Sequence, residues 1–303
     1  MAHLSLSPQQ GHGQKRASLS STTPRCLASV SNTGETDSHV ATASTRRRAL
    51  ISFVSCACCT QLPATAWTYD SASEWGASCA TGASQSPISL PVMSTAQLST
   101  TSPLAFDYFN APVKVLRKPG HGTMECEFEE EGGPKMRVGG KTLKLVQFHF
   151  HTPSEHALNG TRQAMEAHLV HRDEDGKLLV VGVLMRADPT VLPNAALRAA
   201  LRAAPTGEGE SRISVNAAAL LPSQRSFFEY EGSLTTPPCS EAVSWYVFQQ
   251  PLSIPPSQVL LFQTYVGDFG DFKQLALNAR ALQPLNDRSV VLRAANFNPV
   301  VHV

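Results

Sequence analysis

Gln147-Phe148-His149-Phe150-His151 alternates polar and aromatic side chains without a break. Successive side chains of a strand point to opposite faces, so Gln147, His149 and His151 share one face and the phenylalanines the other. From Trp67 onward the chain keeps this character. Pro112–Leu116, Met124–Phe128, Thr142–His151, Ala164–His171, Leu178–Met185 and Val243–Gln249 all read as short strands bounded by turn residues. Asp175-Gly176 between two of them is a hairpin signal. Helical pattern is confined to Pro193–Ala203, stopped by Pro205, and to Ser257–Val266. No linker or repeat divides residues 67–303. The expected fold is a β-dominated α+β domain. It is a single domain around a large, mainly antiparallel twisted sheet with short peripheral helices.

The front of the chain is a different polymer. Residues 1–66 carry six basic side chains and two acids, which leaves 19 basic and 22 acidic residues for 67–303. The overall formal charge of +1 gives no reason to expect a nucleic-acid partner. Residues 1–34 contain no Asp or Glu and are rich in Ser, Thr and Gln, the composition of an organelle transit peptide. Arg46-Arg47-Arg48, an apolar stretch from Ala49 to Leu62 and Ala64-Thr65-Ala66 then describe a twin-arginine-like translocation signal with its cleavage site. Residues 1–66 are therefore expected to be a bipartite leader, removed to leave a domain at 67–303. Plastid import followed by entry to the thylakoid lumen fits two addresses in series. A plain secretory signal, leading to a secreted or periplasmic-type compartment, reads the same features. The apolar stretch is 14 residues, short of the about 20 that span a bilayer, so the mature protein is not expected to cross a membrane.

A second segment, Glu166-Ala167-His168-Leu169-Val170-His171, also alternates and puts Glu166 and His168 on one face. Three neutral imidazoles, His149, His151 and His168, with a fourth position left open, are the donor set of a catalytic zinc ion. Gln147 and Glu166 each stand two residues before a ligand on the same face, suited to orient the rings. His-x-His alone reads as an ordinary pair of half-buried strand histidines. His171, on the opposite face, and His156 read as hydrogen-bonded structural residues.

The surroundings of the triad carry a resemblance. Gln147–His156 (QFHFHTPSEH), Met165–His171 (MEAHLVH) and Gly232–Glu241 (GSLTTPPCSE) occur in the order found in α-type carbonic anhydrases. Trp75-Gly76, Gln85-Ser86-Pro87-Ile88, Asn278-Ala279-Arg280 and Gln283-Pro284-Leu285 match that family's flanking signatures. The chain thus resembles an α-type carbonic anhydrase over nearly all of 67–303. Its double-address leader resembles that of thylakoid-lumen members from green algae. The resemblance implies reversible hydration of carbon dioxide to bicarbonate by zinc-bound hydroxide, with zinc on His149, His151 and His168.

Other roles follow from the same resemblance. Thr235 accepts from the hydroxide and aims it, and Glu155 takes the proton of Thr235. Asn278 joins Gln147 and Glu166 behind the ligands. Val170, Val180, Leu234 and Trp245 form the dry wall for carbon dioxide, with Thr236 at the mouth. His121, in Gly120-His121-Gly122, sits where the family carries its proton-shuttle histidine, with Pro119 in place of an Asn. Cys79 and Cys239 stand where extracellular members carry a disulfide, and Cys126 is left as a buried thiol. A lumenal location would add an association with photosystem II. Two other function classes use the same residues: a silent binding or storage relative, and a zinc esterase. The retained histidines and Thr235 argue against the first, and the absence of a substrate-anchoring charge argues against the second.

Overall fold

The computed structural model describes residue 69 and residues 75–91, 99–118, 122–129, 131–207, 209–267 and 277–296. The leader, its boundary at 66/67, Pro119 and His121 lie outside the described residues. In chain order the elements begin with α1 (Ala77–Thr81), β1 (Ser89–Leu90), β2 (Ser99–Asp107), β3 (Asn110–Lys118), β4 (Thr123–Phe128), β5 (Lys135–Val138) and β6 (Lys141–His151). Next come β7 (Ala157–Leu158), β8 (Thr161–Arg162), β9 (Met165–Arg172), β10 (Leu178–Ala187), α2 (Ala195–Ala203) and β11 (Glu210–Asn216). β12 (Phe227–Ser233), β13 (Glu241–Phe248), β14 (Leu252–Ile254), α3 (Pro256–Gly267) and β15 (Val291–Asn296) complete them.

Twelve strands form one sheet in the order β11-β3-β4-β6-β5-β2-β15-β12-β13-β10-β14, with β9 joining β6 to β10. Pairing is antiparallel except where β10 meets β13 and β14, and where β15 meets β2. β1, β7 and β8 form a small separate sheet. The expected sheet-dominated single domain is thus observed, with these parallel pairs added. Each strand read from the sequence is present, its ends shifted by one or two residues.

Local chemistry explains several boundaries. The β9–β10 hairpin turns at Gly176, whose φ of 81° suits a residue without a Cβ. Asp173 Oδ1 holds that turn by accepting from the backbone N–H groups of Asp175 and Lys177. α2 starts two residues later than expected because Asn194 is its cap, accepting from the Leu197 N–H at 3.1 Å. Behind the sheet, Phe148 and Phe150 are fully buried with Leu169, Val181, Phe248 and Phe262 of α3. Burying each such ring contributes about 1.5–3 kcal/mol. On the other face, Ile88, Val180, Tyr230 and Trp245 form a second apolar cluster.

The regular alternation of β6 does not run its whole length. Leu145 pairs with His171 and Gln147 with Val170, so Val146 is an extra residue, a bulge. Beyond it, Lys144 faces the same side as Gln147 and the histidines, opposite Arg172.

Candidate metal centre

β6 and β9 bring the three histidines together by register. His149 lies opposite His168, and His151 lies opposite Glu166. One ring nitrogen from each of His149, His151 and His168 falls within 4.8 Å of the others. His151 and His168 are buried, and His149 is half-buried.

Two of the remaining nitrogens are held from behind. His149 Nδ1 donates to Gln147 Oε1 at 2.9 Å, and His151 Nδ1 donates to the Asn278 carbonyl at 2.6 Å. His168 Nε2 stands 3.1 Å from Glu166 Oε1, outside good hydrogen-bond alignment. His151 Nε2 is buried with no protein partner. Burial brings the His151 pKa down to about 4, even though Glu155 pulls the other way. The ring is therefore neutral at pH 7 with a lone pair to give. Three imidazole nitrogens, one of them buried and unsatisfied, fit zinc.

A second group, His156, Glu166 and His168, also has ligand-type atoms within 4.8 Å. Here the His156 and Glu166 atoms are already engaged. Glu166 accepts from His156 N and Nδ1, both at 2.8 Å, and His156 Nε2 meets Tyr230 Oη at 2.6 Å. Burial raises the Glu166 pKa, but His156 and His168 outweigh it and hold the carboxyl well below its ordinary value. Gly182 of β10 makes room for this carboxylate, since a Cβ there would lie 2.9 Å from Oε1. His171, on the far face, bonds Tyr108 Oη. Both expected structural histidines are placed as such.

Glu155 lies beside the ring nitrogens of His151 and His168. Its Oε2 is 3.6 Å from His151 Nε2 and 3.9 Å from His168 Nδ1, and it has no hydrogen-bond partner. Oε1 accepts from the Arg280 backbone at 2.8 Å. No Thr235–Glu155 bond is present among the described residues, although Thr235 and the histidines line one cavity. The loop bearing Thr235 is anchored to the N-terminal segment. Cys79 and Cys239 form the disulfide, Gln85 Nε2 donates to the Cys239 carbonyl at 3.1 Å, and Ser86 N donates to Ser233 Oγ at 2.9 Å. Cys126 is free and buried.

The cavity, about 580 Å³, has the histidines at its base, and Val170, Val180, Leu234, Thr236 and Trp245 line it as expected. Trp245 also packs edge-on against His168 with ring centres 4.9 Å apart. Sequence reading missed the polar side. Glu125 and Glu127 of β4 line the cavity, with Lys118 Nζ 3.8 and 3.2 Å from their carboxylates. Burial raises the Glu125 pKa to about 7, Lys118 opposes that rise and Glu127 adds to it. The period-two placement of Glu125 and Glu127 in Met124–Phe128 was the available signal. Asn278 was expected behind the ligands, and its position is more central than that. Its carbonyl holds His151, its Oδ1 accepts from Thr152 N, and its Nδ2 donates to the Gly122 and Phe150 carbonyls.

A three-histidine cradle at the base of an apolar-walled cavity in a large twisted sheet could hold a metal ion beside a small uncharged molecule. Residues 70–294 match the family described as eukaryotic-type carbonic anhydrase, and the chain belongs to that family. It is a carbonic anhydrase enzyme. A carbonic anhydrase of Neisseria gonorrhoeae is 35% identical over 238 residues, 75% of this chain and 88% of its own. Dioscorin DB3S of Dioscorea polystachya is 34% identical over 225 residues, 72% of this chain and 78% of its own. Among solved structures, carbonic anhydrase Cah3 from Chlamydomonas reinhardtii in complex with acetazolamide aligns with a TM-score of 0.66 and 41% identity. That alignment covers 73% of this chain and 95% of the Chlamydomonas chain.

Proposed function

We propose that the chain catalyses reversible hydration of carbon dioxide to bicarbonate and a proton, with zinc held by His149, His151 and His168. The observation that carries this reading is the convergence of three imidazole nitrogens within 4.8 Å beside a wall of Val170, Val180, Leu234 and Trp245. Zinc supplies the Lewis acidity that makes hydroxide available from water near pH 7. The apolar wall does the rest of the binding. A small uncharged substrate needs a dry surface, and these side chains exclude water without offering a charge.

Thr235 and Glu155 set direction. A carboxylate only accepts, and the buried Glu155 Oε2 is free to take the Thr235 hydroxyl proton. With its proton committed there, Thr235 Oγ1 can only accept from the attacking oxygen, which turns that oxygen's lone pair toward the substrate. His121 is the proposed proton relay to solvent, since an imidazole with an ordinary pKa near 6.5 loads and unloads protons at neutral pH. The leader composition supports a thylakoid-lumen address for the 67–303 domain. Association with photosystem II is proposed only as a consequence of that address.

Thr235→Ala and Glu155→Gln test the assignment in the zinc-loaded enzyme. Each is expected to lower hydration kcat/KM by about 100-fold, the scale of one lost positioning contact, at unchanged zinc content. Wild-type rates in both variants would refute it.

A further inference from the structure

Beyond the catalytic cavity, on the same face of the sheet, three cations stand in one row across adjacent strands. Lys135 of β5 is directly opposite Lys144 of β6, and Lys144 is directly opposite Arg172 of β9. Like charges placed opposite one another destabilise a sheet. Among the described residues, none of the three side chains makes an ion pair or a hydrogen bond. They line a hollow of about 280 Å³.

Carboxylates reach the same hollow, but two are engaged elsewhere. Asp173 pairs with Lys141 at 3.7 Å and accepts from the hairpin backbone, and Glu129 pairs with Arg212 at 3.7 Å. Glu174 is the remaining acid, exposed on the turn. The net unpaired charge of the hollow, three cations against Glu174, is therefore positive.

The row is continuous with the catalytic cavity. Phe128, Val146 and Arg172 line both hollows. Along β9, His168, Val170 and Arg172 share one face, so Arg172 lies about 13 Å beyond His168, at strand rise. The Val146 bulge is what turns Lys144 onto this face. A neutral substrate gains nothing from such a row. A departing or arriving anion does, because the inner wall of valines and Leu234 offers it no charge.

We propose that Lys135, Lys144 and Arg172 form an oxyanion-binding strip at the cavity mouth that holds bicarbonate between the catalytic site and solvent. The choice of bicarbonate rests on the function proposed above. The planar Arg172 fork suits two carboxylate-type oxygens, and the lysines add point charges beside it.

The test is a bicarbonate titration of the 15N-labelled full chain near pH 8 at constant low ionic strength, zinc-loaded and chelator-stripped, with chloride as the matched control. Saturable backbone shifts at Lys135, Lys144 and Arg172 are expected in both forms, with half-saturation of about 1–10 mM, the range of a few charge-assisted hydrogen bonds. The variant Lys144→Gln/Arg172→Gln should raise that value at least about tenfold. Both side chains are exposed, so the variant keeps its fold. Non-saturating shifts, equal saturation by chloride, or full retention of binding in the variant would overturn the strip. Shifts confined to His149 and Thr235 in the zinc-loaded form would overturn the strip alone. Shifts at the strip with no hydration activity would leave it standing as an oxyanion site and remove the catalytic reading and the bicarbonate assignment.

Discussion

His151 Nδ1 donates to the backbone carbonyl of Asn278 at 2.6 Å, across 127 residues of sequence. That bond selects the tautomer whose Nε2 faces the other two histidines. It is held in turn by the Asn278 amide, which bonds Thr152, Gly122 and Phe150. One residue near the C-terminus thus sets the angle of a ring in the central strand.

Asn278→Ala keeps the carbonyl and the backbone bond to Thr152 but removes the side-chain anchors. Zinc affinity, measured by chelator competition, should fall about tenfold or more, the usual effect of losing support behind a ligand. Stability should fall by about 1–3 kcal/mol, chiefly from the unsatisfied Thr152 N–H and Gly122 carbonyl, since the Phe150 carbonyl still accepts from Thr123 Oγ1. An unchanged zinc affinity would mean that the sheet alone orients His151.

His171 gives the fold a pH dependence. Burial lowers its pKa to about 4, only partly offset by hydrogen bonds to backbone carbonyls. The unfolded chain, with an ordinary value near 6.5, binds the proton first. Stability is therefore complete above pH 6.5 and is lost as pH falls toward 4, by up to about 3 kcal/mol from this residue. In zinc-free protein, urea midpoints at pH 7 and 4.5 should differ less for His171→Gln than for wild type. Identical differences would count against the assignment.

The Cys79–Cys239 bridge spans 160 residues and ties the N-terminal segment to the Thr235 loop. In the chain-entropy model a closure of that length is worth about 4–5 kcal/mol. Cys79→Ser/Cys239→Ser should unfold at correspondingly lower urea and turn over carbon dioxide more slowly. Equal turnover by the bridged and unbridged proteins would show that Gln85 and Ser86 alone hold the loop.

Much of this was readable from the chain. β6 and β9 announced themselves because buried aromatic and aliphatic residues alternate with polar ones on a face that must stay polar. β11 did not, because its exposed residues blur the pattern at a sheet edge. β2 and β15 form parallel partners from opposite ends of the domain, a long-range pairing that no local window contains. The Val146 bulge was equally hidden, since one extra residue leaves no mark on composition. It reverses the face of Lys144, so the cationic row could not be seen in a strict alternation of Thr142–His151. The three converging histidines were legible, whereas the carbonyl of Asn278 was not, because every residue has one.

The central claim is that the three-histidine cradle makes carbon dioxide hydration depend on zinc. The direct measurement is stopped-flow hydration by the full chain before chelation, after removal of metal, and after one equivalent of zinc is returned. The account predicts loss of hydration on chelation and its recovery on zinc return, with neither recovery nor zinc binding in His149→Ala/His151→Ala. Hydration that persists without metal, or that never appears with zinc bound, would contradict it.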